Sequence, residues 1–187
     1  YFSVAEYRAP EFQVTVTPQL DEVVQGETIQ VMVDGTYFFG GPVSNADVSY
    51  SVVTQDHYFR YSGTERYDFI DYNYDGGPRS YYGYSYGEQI ISGSGITNDS
   101  GNFYVEIPAD LGDATQSQLL TIEASITDES DQAIYNRSEV IVHQGEVYVG
   151  IRPDRYVGRA GEENLMHLIT VDWESEPVAG QEINLEV

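Results

Sequence analysis

In Glu11-Phe12-Gln13-Val14-Thr15-Val16-Thr17 the apolar side chains recur at every second residue, Phe12, Val14 and Val16 on one face and polar neighbours on the other. Successive side chains of a strand point to opposite sides, so a period of two describes a half-buried β-strand. Pro18, which has no N–H to donate, closes it. The alternation returns at Ile29, Val31 and Val33, at Val48, Tyr50 and Val52, at Phe103, Val105 and Ile107, and at Leu120, Ile122, Ala124 and Ile126. Segments near Glu88–Ser92 and Ile134–His143 bring the candidates between Glu11 and Gln144 to seven. That is the complement of a fibronectin type III or immunoglobulin-like β-sandwich.

Between the runs lie Gln25-Gly26, Gly40-Gly41-Pro42, Asn98-Asp99-Ser100-Gly101 and Asp128-Glu129-Ser130-Asp131. Gly, Asn and Asp tolerate tightly turned and left-handed backbone best, so each marks a hairpin or a crossing between sheets. Helical periodicity is nearly absent, and Pro108-Ala109-Asp110-Leu111 reads as a single turn. After Gln144-Gly145 the alternation restarts at Val147 and Val149 and resumes through Leu168 and Val171 to Leu185 and Val187. About 43 residues, 145–187, are too few for seven strands, so they predict the beginning of a second sandwich, with Gln144-Gly145 as the hinge. Residues 1–10 are read as a linker or the last strand of a preceding unit.

Eight basic against 31 acidic residues give a formal charge of −23 and a pI near 4.1. Such a field repels nucleic acid and anionic membrane surfaces, and neither is expected as a partner. The absence of cysteine removes disulfides, thiolate metal sites and a cysteine nucleophile together. No run approaches the roughly 18 apolar residues of a membrane helix. The first residues, Tyr1-Phe2-Ser3-Val4, are neither an initiator methionine nor a signal peptide, which reads as an internal piece of a longer chain.

One stretch breaks the rhythm. From Tyr58 to Tyr86 there are nine tyrosines among Gly and Asp, too long for a hairpin loop and therefore an insertion. A tyrosine offers a rigid apolar face with a polar tip, so Tyr72, Tyr74, Tyr81, Tyr82, Tyr84 and Tyr86 form a candidate interaction surface; the competing reading is a small aromatic core over the sandwich edge. Asp71-Tyr72-Asn73-Tyr74-Asp75-Gly76 matches the first half of an EF-hand calcium loop, but position twelve, which needs a bidentate Glu, is Tyr82. An ordinary polar turn is the reading taken. His57, His143 and His167 lie far apart with no triad order or metal spacing around them, and read as isolated strand positions. Asn98-Asp99-Ser100 and Asn136-Arg137-Ser138 satisfy a glycosylation sequon that matters only in a eukaryotic secretory host. Trp173 is expected at the core margin of the second unit. No catalytic residue, metal or cofactor is expected.

The opening run Phe2-Ser3-Val4-Ala5-Glu6-Tyr7-Arg8-Ala9-Pro10-Glu11-Phe12-Gln13-Val14 resembles the junction into the third macroglobulin domain of the alpha-2-macroglobulin and complement superfamily, F-x-V-x-E-[YF]-x-x-P-x-F-x-V. Gly35-Thr36-Tyr37-Phe38-Phe39-Gly40-Gly41-Pro42-Val43 is similar to that family's G-x-Y-x-x-G-x-P-V. The tail from Tyr148-Val149-Gly150-Ile151-Arg152-Pro153 to Pro177-Val178-Ala179-Gly180-Gln181 is similar to the start of the fourth domain in bacterial members. The resemblance implies a macroglobulin β-sandwich at 11–144 with the Tyr-rich insertion at 58–86, and the beginning of a second at 145–187.

It further implies scaffold domains of an endopeptidase inhibitor, or protease trap, outside the cell or in the periplasm or cell envelope. The full-length parent's proteases and the neighbouring macroglobulin domains are then the partners. The family's thioester needs a cysteine this chain lacks, and no stretch announces a bait region, so both lie elsewhere in the parent. The alternative is an adhesive or carbohydrate-binding sandwich module of a bacterial surface protein, with the insertion as its binding site.

Overall fold

The computed structural model describes residues 9–69, 88–112, 114, 116–159 and 161–185, with backbone alone at 88–90. Among these the chain is all β, and no helix is long and apolar enough to cross a membrane. Ten strands follow in order: β1 Phe12–Pro18, β2 Glu22–Val24, β3 Thr28–Tyr37, β4 Asp47–His57, β5 Glu88–Ile96, β6 Asn102–Pro108, β7 Ser117–Thr127, β8 Ala133–His143, β9 Tyr148–Pro153 and β10 Met166–Val171. The first eight make two sheets, β1-β3-β6 and β2-β8-β7-β4-β5; β9 and β10 pair separately as an antiparallel hairpin.

The alternating residues of both sheets meet in one core. Phe12, Val14 and Val16 on β1, Ile29, Val31 and Val33 on β3, and Val105 and Ile107 on β6 face Val48 and Val52 on β4, Leu120, Ile122, Ala124 and Ile126 on β7, and Val140 and Val142 on β8. Each Phe, Val, Leu or Ile among them contributes about 1.5–3 kcal/mol on full burial, and the branched ones lose little rotamer freedom on a pleated surface.

The sandwich has eight strands where the sequence predicts seven. The addition is β2, three residues long with Val23 alone buried, too short to display a period. It arises because the first strand changes sheets after Pro18: β1 pairs with β3, whereas β2 lies parallel to the end of β8, Val23 beside Val142. β1 stays in touch with β8 through Asn136, whose amide donates to the Val14 carbonyl at 2.7 Å.

The segment Gly35–Val43 is a structural corner. Gly35 accepts from Val43 N–H and donates to the Gly101 carbonyl, both at 2.9 Å, so β3 and two loops converge on one residue. A Cβ at Gly35 would lie 2.7 Å from the Ile126 side chain and 3.1 Å from that of Val43. The tight loop that follows uses Gly40 and Gly41 at φ near +96° and +99°, a region closed to most side chains.

Three loops share one construction. Asn98, Asp128 and Asp172 each turn a side-chain oxygen onto the backbone N–H groups two and four residues on: Ser100 and Asn102, Ser130 and Gln132, Glu174 and Glu176. Asx side chains that satisfy the backbone in this way specify a turn locally. The fourth residue of each loop has positive φ: Gly101, Asp131 and Ser175.

That shared geometry sets opposite expectations for glycine at two of the sites. Gly101→Ala combines left-handed strain with a Cβ placed 2.5 Å from the Gly35 carbonyl oxygen, and is expected to cost about 2–4 kcal/mol. Asp131→Gly relieves the same left-handed strain with no side-chain hydrogen bond among the described residues to lose, and is expected to stabilise by about 0.5–1 kcal/mol. Thermal or urea unfolding of both variants beside the parent chain checks the signs.

Candidate functional site

Aromatic and polar side chains converge where the β9–β10 hairpin meets the sandwich. The described part of the Tyr-rich insertion, residues 58–69, supplies Phe59, Tyr61, Tyr67 and Phe69, which pack ring to ring: Phe59 edge-on to Phe69 at 5.0 Å, Tyr61 tilted to Phe69 at 5.4 Å, Tyr61 edge-on to Tyr67 at 6.0 Å. Phe59 also stacks on Tyr148 of β9, 4.2 Å between centroids and 11° between planes. The backbones of Asp68 and Ile151 exchange two hydrogen bonds of 2.9 Å, adding a one-residue rung to the edge of β9. Arg152 lies over the Tyr67 ring at 5.4 Å and bonds Glu65 at 3.0 Å. A Cβ at Gly150 would lie 2.6 Å from the Phe69 ring, so β9 sits as close to the wedge as glycine permits.

Beside this wedge runs a chain of polar groups. The pairing of β7 with β4 sets Ser117 opposite His57, and its pairing with β8 sets Gln118 opposite Val142, so Ser117, His57 and His143 occupy one row on the outer face of the larger sheet. β2 brings Glu22 to the same end. His143 is only 2% exposed. Its Nδ1 is 2.6 Å from the Tyr148 hydroxyl and its Nε2 3.2 Å from Glu22 Oε2. Tyr148 Oη is 2.7 Å from Ser117 Oγ, which accepts from Gln144 N–H at 3.3 Å. Trp173 stacks on the imidazole at 4.8 Å and 11°, and His57 meets it edge-on at 6.3 Å.

One assignment of protons satisfies every member. A carboxylate only accepts, so a neutral His143 donates from Nε2 to Glu22 and accepts at Nδ1 from the Tyr148 O–H; the Ser117 O–H then donates to Tyr148 oxygen. Burial pushes the pKa of His143 down, partly offset by the bond and the charge of Glu22. Burial, then the neighbouring His143, pushes His57 down as well. Tyr148 is pushed up, chiefly by burial.

The six candidate tyrosines, Tyr72, Tyr74, Tyr81, Tyr82, Tyr84 and Tyr86, lie outside the described residues, as does Asp71–Gly76. The described part of the insertion forms an aromatic mini-core. His57 and His143, read from sequence as isolated, are neighbours. His167 lies apart from them, 3.4 Å from Asp154 on the surface. Trp173 packs on His143 rather than at the margin of the second unit's own core. Gln144, expected to be a hinge, is held at both ends, its N–H by Ser117 and its side chain by the Ala114 carbonyl at 3.2 Å. What could have exposed the network is the register, because residues far apart in sequence share a row only once the strands are paired.

Over 181 residues the chain is 26% identical to the alpha-2-macroglobulin of Thermotoga maritima, a match that takes in 96% of this chain and 10% of that protein. The resemblance is to the bacterial alpha-2-macroglobulins. An alpha-2-macroglobulin homolog of Nostoc sp. aligns over 188 residues at 21% identity, with 100% of this chain and 9% of that one. The chain thus spans about a tenth of the length of the curated relatives it matches. In fold it is similar to trypsin-activated Escherichia coli alpha-2-macroglobulin: TM-score 0.62 at 11% identity, covering 89% of this chain and 12% of that one. No protein-family model matches it.

Gly35–Val43, the stretch whose pattern resembles the family's G-x-Y-x-x-G-x-P-V, is the corner described above. The junction gives two expectations. Gly150→Ala drives a methyl group into Phe69 and should loosen the hairpin by about 1–3 kcal/mol, seen as a red shift in the emission of Trp173, the sole tryptophan. Trypsin should cut after Arg155 and Arg159, exposed in the β9–β10 loop, ahead of Arg137 in the β8 ladder, while the Arg152–Pro153 bond survives; mass spectrometry of early fragments reads the order.

Proposed function

We propose that this chain is a non-catalytic scaffold portion of an alpha-2-macroglobulin-like endopeptidase inhibitor. Residues 11–144 are one macroglobulin domain, the third, and residues 145–187 begin the next, with residues 1–10 as a linker or the last strand of a preceding domain. The observation that carries the reading is the sequence match to the Thermotoga maritima protein, which takes in 96% of this chain and so reaches both units.

Two features of the geometry support it. Ser117 and His143 are sealed, 3% and 2% exposed, with Tyr148 between them, so their hydrogen bonds hold elements together and offer no path to a substrate. The outer face of the β9–β10 hairpin carries Val149, Ile151, Met166 and Leu168 at 37–49% exposure, the apolar half of a sandwich whose other sheet belongs to the next domain. On this reading the bait segment and any thioester lie elsewhere in the parent, proteases are partners of the whole protein, and the compartment is extracellular, periplasmic or cell-envelope. The solved relative activated by trypsin is the model for that partnership.

The test compares the whole parent protein with the isolated chain. The parent should protect large protein substrates from trypsin or subtilisin, and the isolated chain should neither inhibit nor cleave. Stoichiometric inhibition by the isolated chain would overturn the scaffold reading. Failure of the intact parent to protect any substrate would overturn the trap.

A further inference from the structure

We infer that His143 is an acid-sensitive latch that holds the β9–β10 unit against the sandwich when neutral and releases it when protonated. The inference stands on the arrangement of four elements around one imidazole. β8 carries the ring, β9 supplies Tyr148 at Nδ1, β2 supplies Glu22 at Nε2, and the loop after β10 lays Trp173 on its face. Two of these contacts, Tyr148 and Trp173, belong to the hairpin unit and are the ones that undocking withdraws.

Protonation disturbs the whole relay. An imidazolium donates from both nitrogens, so Nδ1 can no longer accept from Tyr148. Tyr148 must become the acceptor and turn its own O–H towards Ser117. Ser117 Oγ already accepts from Gln144 N–H, and its hydroxyl hydrogen then loses the oxygen it had been donating to. A buried donor left without an acceptor costs about 1–3 kcal/mol. The remaining groups facing the ring are few. From β4, His57 stands 6.3 Å away and repels a second positive charge. From β2, Glu22 attracts one, but its side chain is 42% exposed, so water screens it. Ser117 on β7 and Trp173 are neutral.

The sign follows from comparing docked with undocked. Undocking uncovers His143 and returns it towards the ordinary histidine value of about 6.5, whereas burial in the docked form holds it lower. The undocked form therefore binds the proton more readily, docking is complete above about 6.5, and it weakens as pH falls from there towards the docked value. One linked proton changes the docking equilibrium by up to tenfold per pH unit across that window. His57, lowered by burial and by His143, pulls in the same direction.

Trp173 is the only tryptophan in the chain, so its emission reports this contact alone. The experiment titrates the full 187-residue chain from pH 7.5 to 5.0, above the range in which ordinary Asp and Glu protonate, following emission and, in parallel, the histidine ring protons by NMR. The expected result is a reversible red shift whose midpoint lies below 6.5 and coincides with the titration of His143. His143→Gln should abolish the transition, and His57→Gln, which removes the weaker of the two linked protons, should keep it with the midpoint moved to lower pH. Should His143→Gln fail to fold by circular dichroism, the coincidence of the two midpoints in the unaltered chain decides. A flat emission profile while the His143 ring titrates, or a transition that persists in folded His143→Gln, overturns the latch.

Discussion

Two sheets that are each apolar on one face must cover one another, and everything else here is arranged around that requirement. The Val- and Ile-rich alternation of β1, β3 and β6 closes over β4, β7 and β8, leaving the outer faces to polar residues. β8 is the exception that matters. Its penultimate residue, Val142, completes the core, and its last, His143, points the other way and is as fully buried as the core itself. A polar side chain buried on an outer face requires something on top of it with hydrogen-bonding groups to match. The hairpin unit meets that requirement with Tyr148 and Trp173.

The strands were legible because the period of two survives wherever one face is dry. Phe12, Val14 and Val16 announce β1 without any knowledge of their partners. β2 was not legible, because three residues with a single buried valine contain no period; its existence depends on the change of sheet after Pro18 and on the edge of β8 that it pairs with. The corner at Gly35 was visible as a motif, yet the reason for its glycines, converging backbones and a nearby Ile126, is tertiary.

The junction shows the sharper limit. Histidines 57 and 143 are unremarkable in the sequence, and no spacing rule joins them to Ser117 and Glu22, because the row they form is created by the registers of three strand pairings. Trp173 was placed correctly as a packing residue but against the wrong partner. The tyrosines offered as an interaction surface fall outside the described residues, while Phe59, Tyr61, Tyr67 and Phe69, at the start of the same insertion, pack among themselves and against β9.

The change of sheet after Pro18 has a mechanical meaning. Because β1 and β2 together flank β8 and run in its direction, the chain comes in at one pole of the sandwich, where the Glu11 N–H bonds the side chain of Gln132, and leaves at the other, where Val24 lies beside His143. Tension transmitted along the polypeptide therefore pulls these neighbours lengthwise past each other. The bonds and side chains between them resist in shear, sharing the load, instead of opening one after another like a zip. A unit so threaded passes force from one pole to the other as a stiff link.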